Sequence, residues 1–290
     1  MNGFVVLDKK EGISSFKASS FLRKIYNEKK TGHTGTLDPM ATGVLPVAVG
    51  KATRFIDFIP DSGKAYTARF RCGVTTDTLD ITGKVLSECS VNITAQQIEE
   101  LIPRFRGEIA QLPPMYSAIS VNGQRLYSLA RQGIEVERQT RLVEISELEL
   151  TDCSGNNEFE ISVACSKGTY IRSLISDIGE ALGCGAVMTA LRRTSSNGFS
   201  VENSFTEEEI TADPAKALLP LDHPFLCYES LSVTDKQAVR FSNGGELSAN
   251  RLGKAGETGI FRVYSPIGTF LGLGEIKGDS LVVLRVTGDV

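Results

Sequence analysis

Residues 32–45, GHTGTLDPMATGVL, constrain this chain more than any other stretch. They hold three glycines, a proline, His33 (one of only two histidines) and a single carboxylate, Asp38. Glycine at this density lets backbone reach positive φ or approach a ligand closely. Pro39 pushes Asp38 out of the α region. The spacing therefore predicts a shaped loop that presents one acid. The apolar run 44–49 follows at once and reads as a buried strand that would hold the loop rigidly.

The neighbouring segments supply a frame for that loop. The N-terminal residues 1–8 read as an immediate strand. Ser14 and Ser15 can cap a helix through about residue 27, with Ala18, Phe21, Leu22 and Ile25 at helical spacing. Lys17, Arg23, Lys24, Lys29 and Lys30 fall on or beyond its polar side. A short helix is expected from about Ala52 to Ile59. Residues 64–72 alternate, with Tyr66, Ala68 and Phe70 on one face. Thr94 and Gln97 form a capping-box pattern, and that helix should stop at Pro103. Asn122-Gly123 signals a tight turn, and residues 142–150 and 158–165 make a hairpin-like pair. Thr169 to Leu182 is the clearest helix, striped by Ile171, Leu174, Ile175 and Ile178.

A chain of 290 residues has room for two domains, and its 41% apolar content is ordinary for a globular protein. No apolar run reaches the ~20 residues of a membrane helix. The start lacks the basic and long apolar segments of a signal peptide, so a cytoplasmic location is expected. Six cysteines without a C-x-x-C pair, and two histidines, give zinc little to draw on. The cysteines are expected as reduced core thiols. The net charge of −4 is unusual for a nucleic-acid binder, but it is unevenly spread. Residues 1–72 hold twelve Lys and Arg against six Asp and Glu; the rest hold nineteen against twenty-nine. RNA binding would rest on a local basic patch.

The long ungapped pattern His-x-Gly-Thr-Leu-Asp-Pro-x-Ala-x-Gly-x-Leu resembles the signature of the TruB family of RNA pseudouridine synthases. The likeness continues in residues 64–66 (KAY), 76–83 (TDTLDITG), 113–118 (PPMYSA), 168–174 (GTYIRSL) and 191–194 (LRRT), in the family's order, up to about residue 225. It implies an α+β catalytic domain over 1–225, with a mixed, largely antiparallel central sheet flanked by helices. Past about 230 the chain becomes short strands broken by glycines, which suggests a small β-barrel over 230–290. That part is similar to a compact PUA-like RNA-binding module.

The resemblance also implies a reaction: isomerisation of the uridine at position 55, in the T-loop of tRNA, to pseudouridine, without metal or organic cofactor. Asp38 would be the catalytic aspartate and Arg172 the arginine beside it, since a guanidinium can hold a carboxylate ionised. The residues leave open attack at C6 of the base, attack at C1′, or elimination to a glycal. The target base must be flipped out of its stack. Tyr66 matches the active-site tyrosine that stacks on the uracil, with proton transfer at C5 a further role. Tyr170 and Leu191 match substrate-pocket positions. His33 matches a histidine that fills the space the flipped nucleotide vacates. Lys64, on the face of Tyr66 by alternation, could pair with a phosphate or support the site. Asp80 reads as turn chemistry, and Arg192-Arg193 as an RNA-backbone contact. The expected partner is the T-arm stem-loop of tRNA, with no membrane and no guide RNA, and the expected state is a monomer. The competing reading is a noncatalytic RNA-binding or tRNA-folding protein on the same fold; a hydrolase using Asp38 lacks a second motif carboxylate or metal cluster.

Overall fold

The computed structural model of the chain describes residues 1–121 and 123–288. Strand β1 (Gly3–Lys9) is buried almost throughout. Ser14 then accepts the Lys17 amide and caps α1 (Ser15–Ile25), which buries Ser15, Ala18, Ser19 and Leu22. Strand β2 (Thr31–His33) leads into the signature loop, and β3 (Thr42–Val49) leaves it. The helix expected near 52–59 is a 3-10 segment over Gly50–Phe58. Next come β4 (Lys64–Cys72), with Tyr66, Ala68 and Phe70 facing inward, and the hairpin β5 (Val74–Thr76) and β6 (Val85–Glu88).

Helix α2 (Ala95–Leu101) carries both halves of the Thr94–Gln97 capping box, and Pro103 lies in the 3-10 turn that ends it. Strand β7 (Gly107–Gln111) is followed by the paired strands β8 (Ser120–Val121) and β9 (Gln124–Arg125), and by α3 (Leu126–Ala130). Asn122 of the expected turn between β8 and β9 lies outside the described residues. Long β10 (Arg141–Gly155) pairs with β11 (Glu158–Cys165) around Asn156 and Asn157, whose φ angles of 52° and 60° suit a tight turn. Helix α4 (Ile171–Ala181) begins at Ile171, the first residue of its apolar stripe and two residues after the expected start at Thr169. Strands β12 (Ala186–Ser196) and β13 (Phe199–Ser200) follow.

Nine of these strands form one mixed sheet in the order β1-β3-β12-β4-β11-β10-β7, with β2 on β3 and β13 on β12, while β5-β6 and β8-β9 stand as separate pairs. Every pairing in it is antiparallel except β12 with β3. The edge of β3 is shared. Val47–Val49 pair with β2, whereas Thr42 and Gly43 pair with β12. The sheet splays between these two contacts, and the 34–41 loop occupies the opening. Gly43 permits the close approach: its φ is +96°, and a Cβ there would lie 2.2 Å from the Arg193 carbonyl oxygen.

Short helices α5 (Glu207–Ala212) and α6 (Pro214–Ala217) precede a second sheet. It contains β14 (Glu229–Ser232), β15 (Leu247–Ser248), β16 (Gly259–Tyr264), β17 (Phe270–Lys277) and β18 (Ser280–Val286), ordered β14-β16-β17-β18-β15. Helix α7 (Asp235–Ser242), which the glycine-rich reading of this region did not anticipate, packs Ala238 and Phe241 into its core. An aromatic cluster joins the two sheets: the Phe55 ring lies 5.9 Å from both Phe225 and Phe270.

Candidate active site

The backbone around Asp38 is clamped on both sides. The Ser15 hydroxyl accepts from the Leu37 amide at 2.8 Å and donates to the Leu37 carbonyl at 2.9 Å. The Pro39 carbonyl accepts from the Gly12 amide at 2.8 Å and from Lys9 Nζ at 3.2 Å. Lys9 also donates to the carbonyls of Lys10 and Ile13. A fully buried ammonium can remain there because carbonyl oxygens replace its water. Burial lowers Lys9 to about 8, with the nearby Asp38 charge opposing the fall. Asp38 itself is 40% exposed, so the acid stands at an open mouth rather than in a closed chamber.

Arg172, the second residue of α4, gathers three of the motifs. It is 6% exposed. Its Nη2 lies 2.9 Å from Asp38 Oδ2 and donates to the Tyr116 carbonyl at 2.8 Å. Its Nη1 donates to the Thr78 carbonyl at 3.0 Å and lies 3.6 Å from Asp80 Oδ2. A buried cation needs such a complete set of acceptors. Asp80 forms the expected turn, accepting from the Thr82 amide and the Thr78 hydroxyl, and it also turns its second oxygen towards Arg172. The start of α4 is fixed by buried Gln111. Its Oε1 accepts from the Tyr170 amide at 2.7 Å, and its Nε2 donates to the Tyr170 carbonyl at 3.1 Å. The Tyr170 side chain is half-buried.

Tyr66 is 8% exposed on β4, opposite Arg193 on β12. Burial pushes its hydroxyl above the ordinary tyrosine value, while the charge of Arg193, and to a smaller extent its hydrogen bond, pulls it back. The group is therefore a neutral phenol at neutral pH. Arg193 corrects the expectation of an RNA-backbone contact. It is almost fully buried, donating from Nε to the Val44 carbonyl at 2.7 Å and from Nη2 to the Gly35 carbonyl at 3.0 Å. It fills the splay between β3 and β12, where the Val44 carbonyl would otherwise lack a partner. Arg192 faces the other way and grips Asp8 with two hydrogen bonds of 3.0 and 2.7 Å.

Leu191 is buried on β12. His33 is half-buried; Nε2 lies 3.1 Å from the Thr36 hydroxyl and Nδ1 lies 3.4 Å from the Ser19 hydroxyl. Burial and the Arg193 charge lower its pKa, which keeps the ring neutral at pH 7. Lys64 stands behind Gly35 beside Arg193, and burial lowers it too. Lys9 and Gln111 are thus site-building residues that sequence reading missed, and Arg193 one to which it gave another role. Only an inward position on a strand could have singled them out, and core residues share that property. Only Cys72 and Cys165 of the six cysteines are buried, so the core-thiol expectation holds for two. Among the described residues, no group of three metal-ligating side chains converges.

Comparison with known proteins matches this geometry to a family. The model for the TruB family pseudouridylate synthase N-terminal domain covers residues 23–171. A tRNA pseudouridylate synthase B C-terminal domain model covers 172–225. The chain belongs to the TruB family. A third model, pseudouridine synthase II TruB, C-terminal, covers residues 230–286 and so takes in the second sheet. TruB relatives include the tRNA pseudouridine synthase B of Pseudomonas putida, 42% identical over 98% of this chain and 95% of that protein. The protein of the same name from Chromobacterium violaceum is 45% identical over 96% of this chain and 92% of its own. Among solved structures, a chain of a Cbf5-Nop10-Gar1 complex superposes with a TM-score of 0.74 at 26% identity, covering 98% of this chain and 84% of that one. The chain is accordingly a pseudouridine synthase, an isomerase, with the pseudouridine synthase fold.

Proposed function

We propose that this enzyme converts the T-loop uridine at position 55 of tRNA to pseudouridine, with Asp38 as the nucleophile. The observation that carries the reading is the Arg172 hub. One guanidinium holds Asp38 Oδ2 at 2.9 Å and ties it to the Asp80 turn and the Tyr116 loop. A carboxylate so gripped is aimed at a fixed point, as covalent catalysis requires. The open mouth leaves room for an extruded uridine, which would complete the enclosure and exclude water. Tyr66, a neutral phenol beside Arg193, stacks on the uracil and handles a proton at C5. Leu191 and Tyr170 line the pocket, and His33, neutral, takes the place of the departed base. Lys64 supports the site from behind Gly35. On this reading residues 1–225 form the catalytic domain, and the second sheet is a PUA-like module that adds RNA contact. The enzyme works as a monomer in the cytoplasm, without guide RNA, metal or organic cofactor.

The test is incubation with transcribed tRNA, followed by adduct formation and primer extension. Parent protein should modify one T-loop uridine. Asp38→Asn should form no pseudouridine, yet bind the RNA and melt within about 1 kcal/mol of the parent, because a partly exposed ion pair contributes little to stability. Turnover by that variant would remove the nucleophile assignment.

A further inference from the structure

We infer that the solvent-exposed flank of α1 seats the sugar–phosphate backbone of the RNA stem that leads to the target loop, and that Phe16 stacks on a base or ribose where stem meets loop. This rests on the functional reading above and extends it to a surface that reading does not use.

The buried face of α1 is tied to the site. Ser15 holds both backbone groups of Leu37, one residue from Asp38. The Ser19 hydroxyl lies near His33, and the Ser19 carbonyl accepts from the Thr31 hydroxyl. At about 100° per residue, Arg23 and Phe16 fall about 40–60° beyond Ser19 on the helix wheel, on the flank that borders the His33 side. Phe16 is 74% exposed there, which leaves both faces of its ring open to a stacking partner. Ser20 continues the same stripe, and Lys24 and Lys17 lie further round.

The charge of this flank is of one sign. No acid occurs between residues 12 and 27. Among the described residues, Lys17, Arg23, Lys24, Lys29 and Lys30 enter no ion pair. Of the acids near the C-terminal end of α1, Glu28 is taken by the N-terminal amine and Asp213 lies by Tyr26. Elsewhere the chain is acidic, so an uncompensated basic strip is a local feature with a local use. The helix is about 16 Å long, enough to face several successive phosphates of one strand. Aromatic rings interleaved with cations form the usual surface for nucleic-acid backbone and bases.

The experiment compares full-length variants on a T-arm stem-loop RNA, measuring Kd against salt and the single-turnover rate. Phe16→Ala should raise Kd about tenfold, and Phe16→Tyr should restore it, since only a stacking role is rescued by another ring. Lys17→Gln, Arg23→Gln and Lys24→Gln together should lower the slope of log affinity against log salt by about 2 to 3. Arg104→Gln, an exposed cation in the 3-10 turn Ile102–Phe105, is the control and should leave the slope unchanged. Parent-like affinity and slope in the α1 variants would overturn the inference while parent turnover upholds the enzyme reading. A parent that binds through these residues but forms no pseudouridine would keep the surface and overturn the reading.

Discussion

Three side chains with no partner in water decide how this site is held. Lys9, Arg172 and Arg193 are all nearly buried cations: Lys9 and Arg193 take carbonyls on either side of Asp38 in its loop, and Arg172 takes those of Thr78 and Tyr116. Tyr66→Phe keeps the ring but removes the hydroxyl that meets Arg193. RNA affinity should change less than about threefold while the single-turnover rate falls at least about tenfold; an unchanged rate would leave the ring with stacking alone. Lys9 links the site to pH. Burial brings it from its ordinary 10.5 to about 8, so between those values the native chain binds fewer protons than the unfolded one. The stability it contributes must then rise with pH across that window, by about 3 kcal/mol at most. Melting curves should show the parent gaining on Lys9→Met between pH 8 and 10, with a constant gap below pH 7.5. A gap that stays constant throughout would mean that Lys9 does not titrate there.

Among elements, β3 carries the most consequence. It pairs with β1 along one edge and divides the other between β2 and β12, which opens the sheet where the Asp38 loop sits. That division depends on a residue without a side chain. Gly43→Ala would place a methyl against the Arg193 carbonyl and strain a positive φ. It should cost at least about 2 kcal/mol in denaturant unfolding and lower turnover as well, because Arg193 and the loop move together. Alanine with parent stability would show that β3 and β12 can separate freely. Helix α4 teaches a related lesson. Its stripe of Ile171, Leu174, Ile175 and Ile178 was plain in the sequence, yet its start is set by Gln111, 59 residues upstream of Tyr170. No local cap signals that.

Over the whole molecule, the aromatic contact of Phe55, Phe225 and Phe270 ties the second sheet to the first. Phe225 is fully buried between them. Phe225→Ala should cost about 3–5 kcal/mol and expose the junction to protease, read by limited proteolysis and thermal melting. Cleavage no faster than in the parent would mean that the two sheets hold together without it. The charge pattern works at the same scale: an acidic chain can still address RNA if its cations are gathered at one flank.

Periodicity and capping alone determined β1, α1, β3, β4, the Thr94 helix and the β10–β11 hairpin, because each is a local pattern of burial, turn residue or cap. They also determined that Asp38 stands in a shaped loop, since Gly and Pro act on their own neighbours. Only the tertiary structure decided that Arg193 turns inward while Arg192 turns out to Asp8, that Asp80 serves Arg172 as well as its own turn, and that α7 exists among the C-terminal glycines. The physical reason is common to these cases. A buried charge is fixed by acceptors far away in the chain and leaves no periodic trace; α7 does carry a Thr234–Gln237 capping box, but its eight residues hold too short an apolar stripe to stand out among the surrounding glycines.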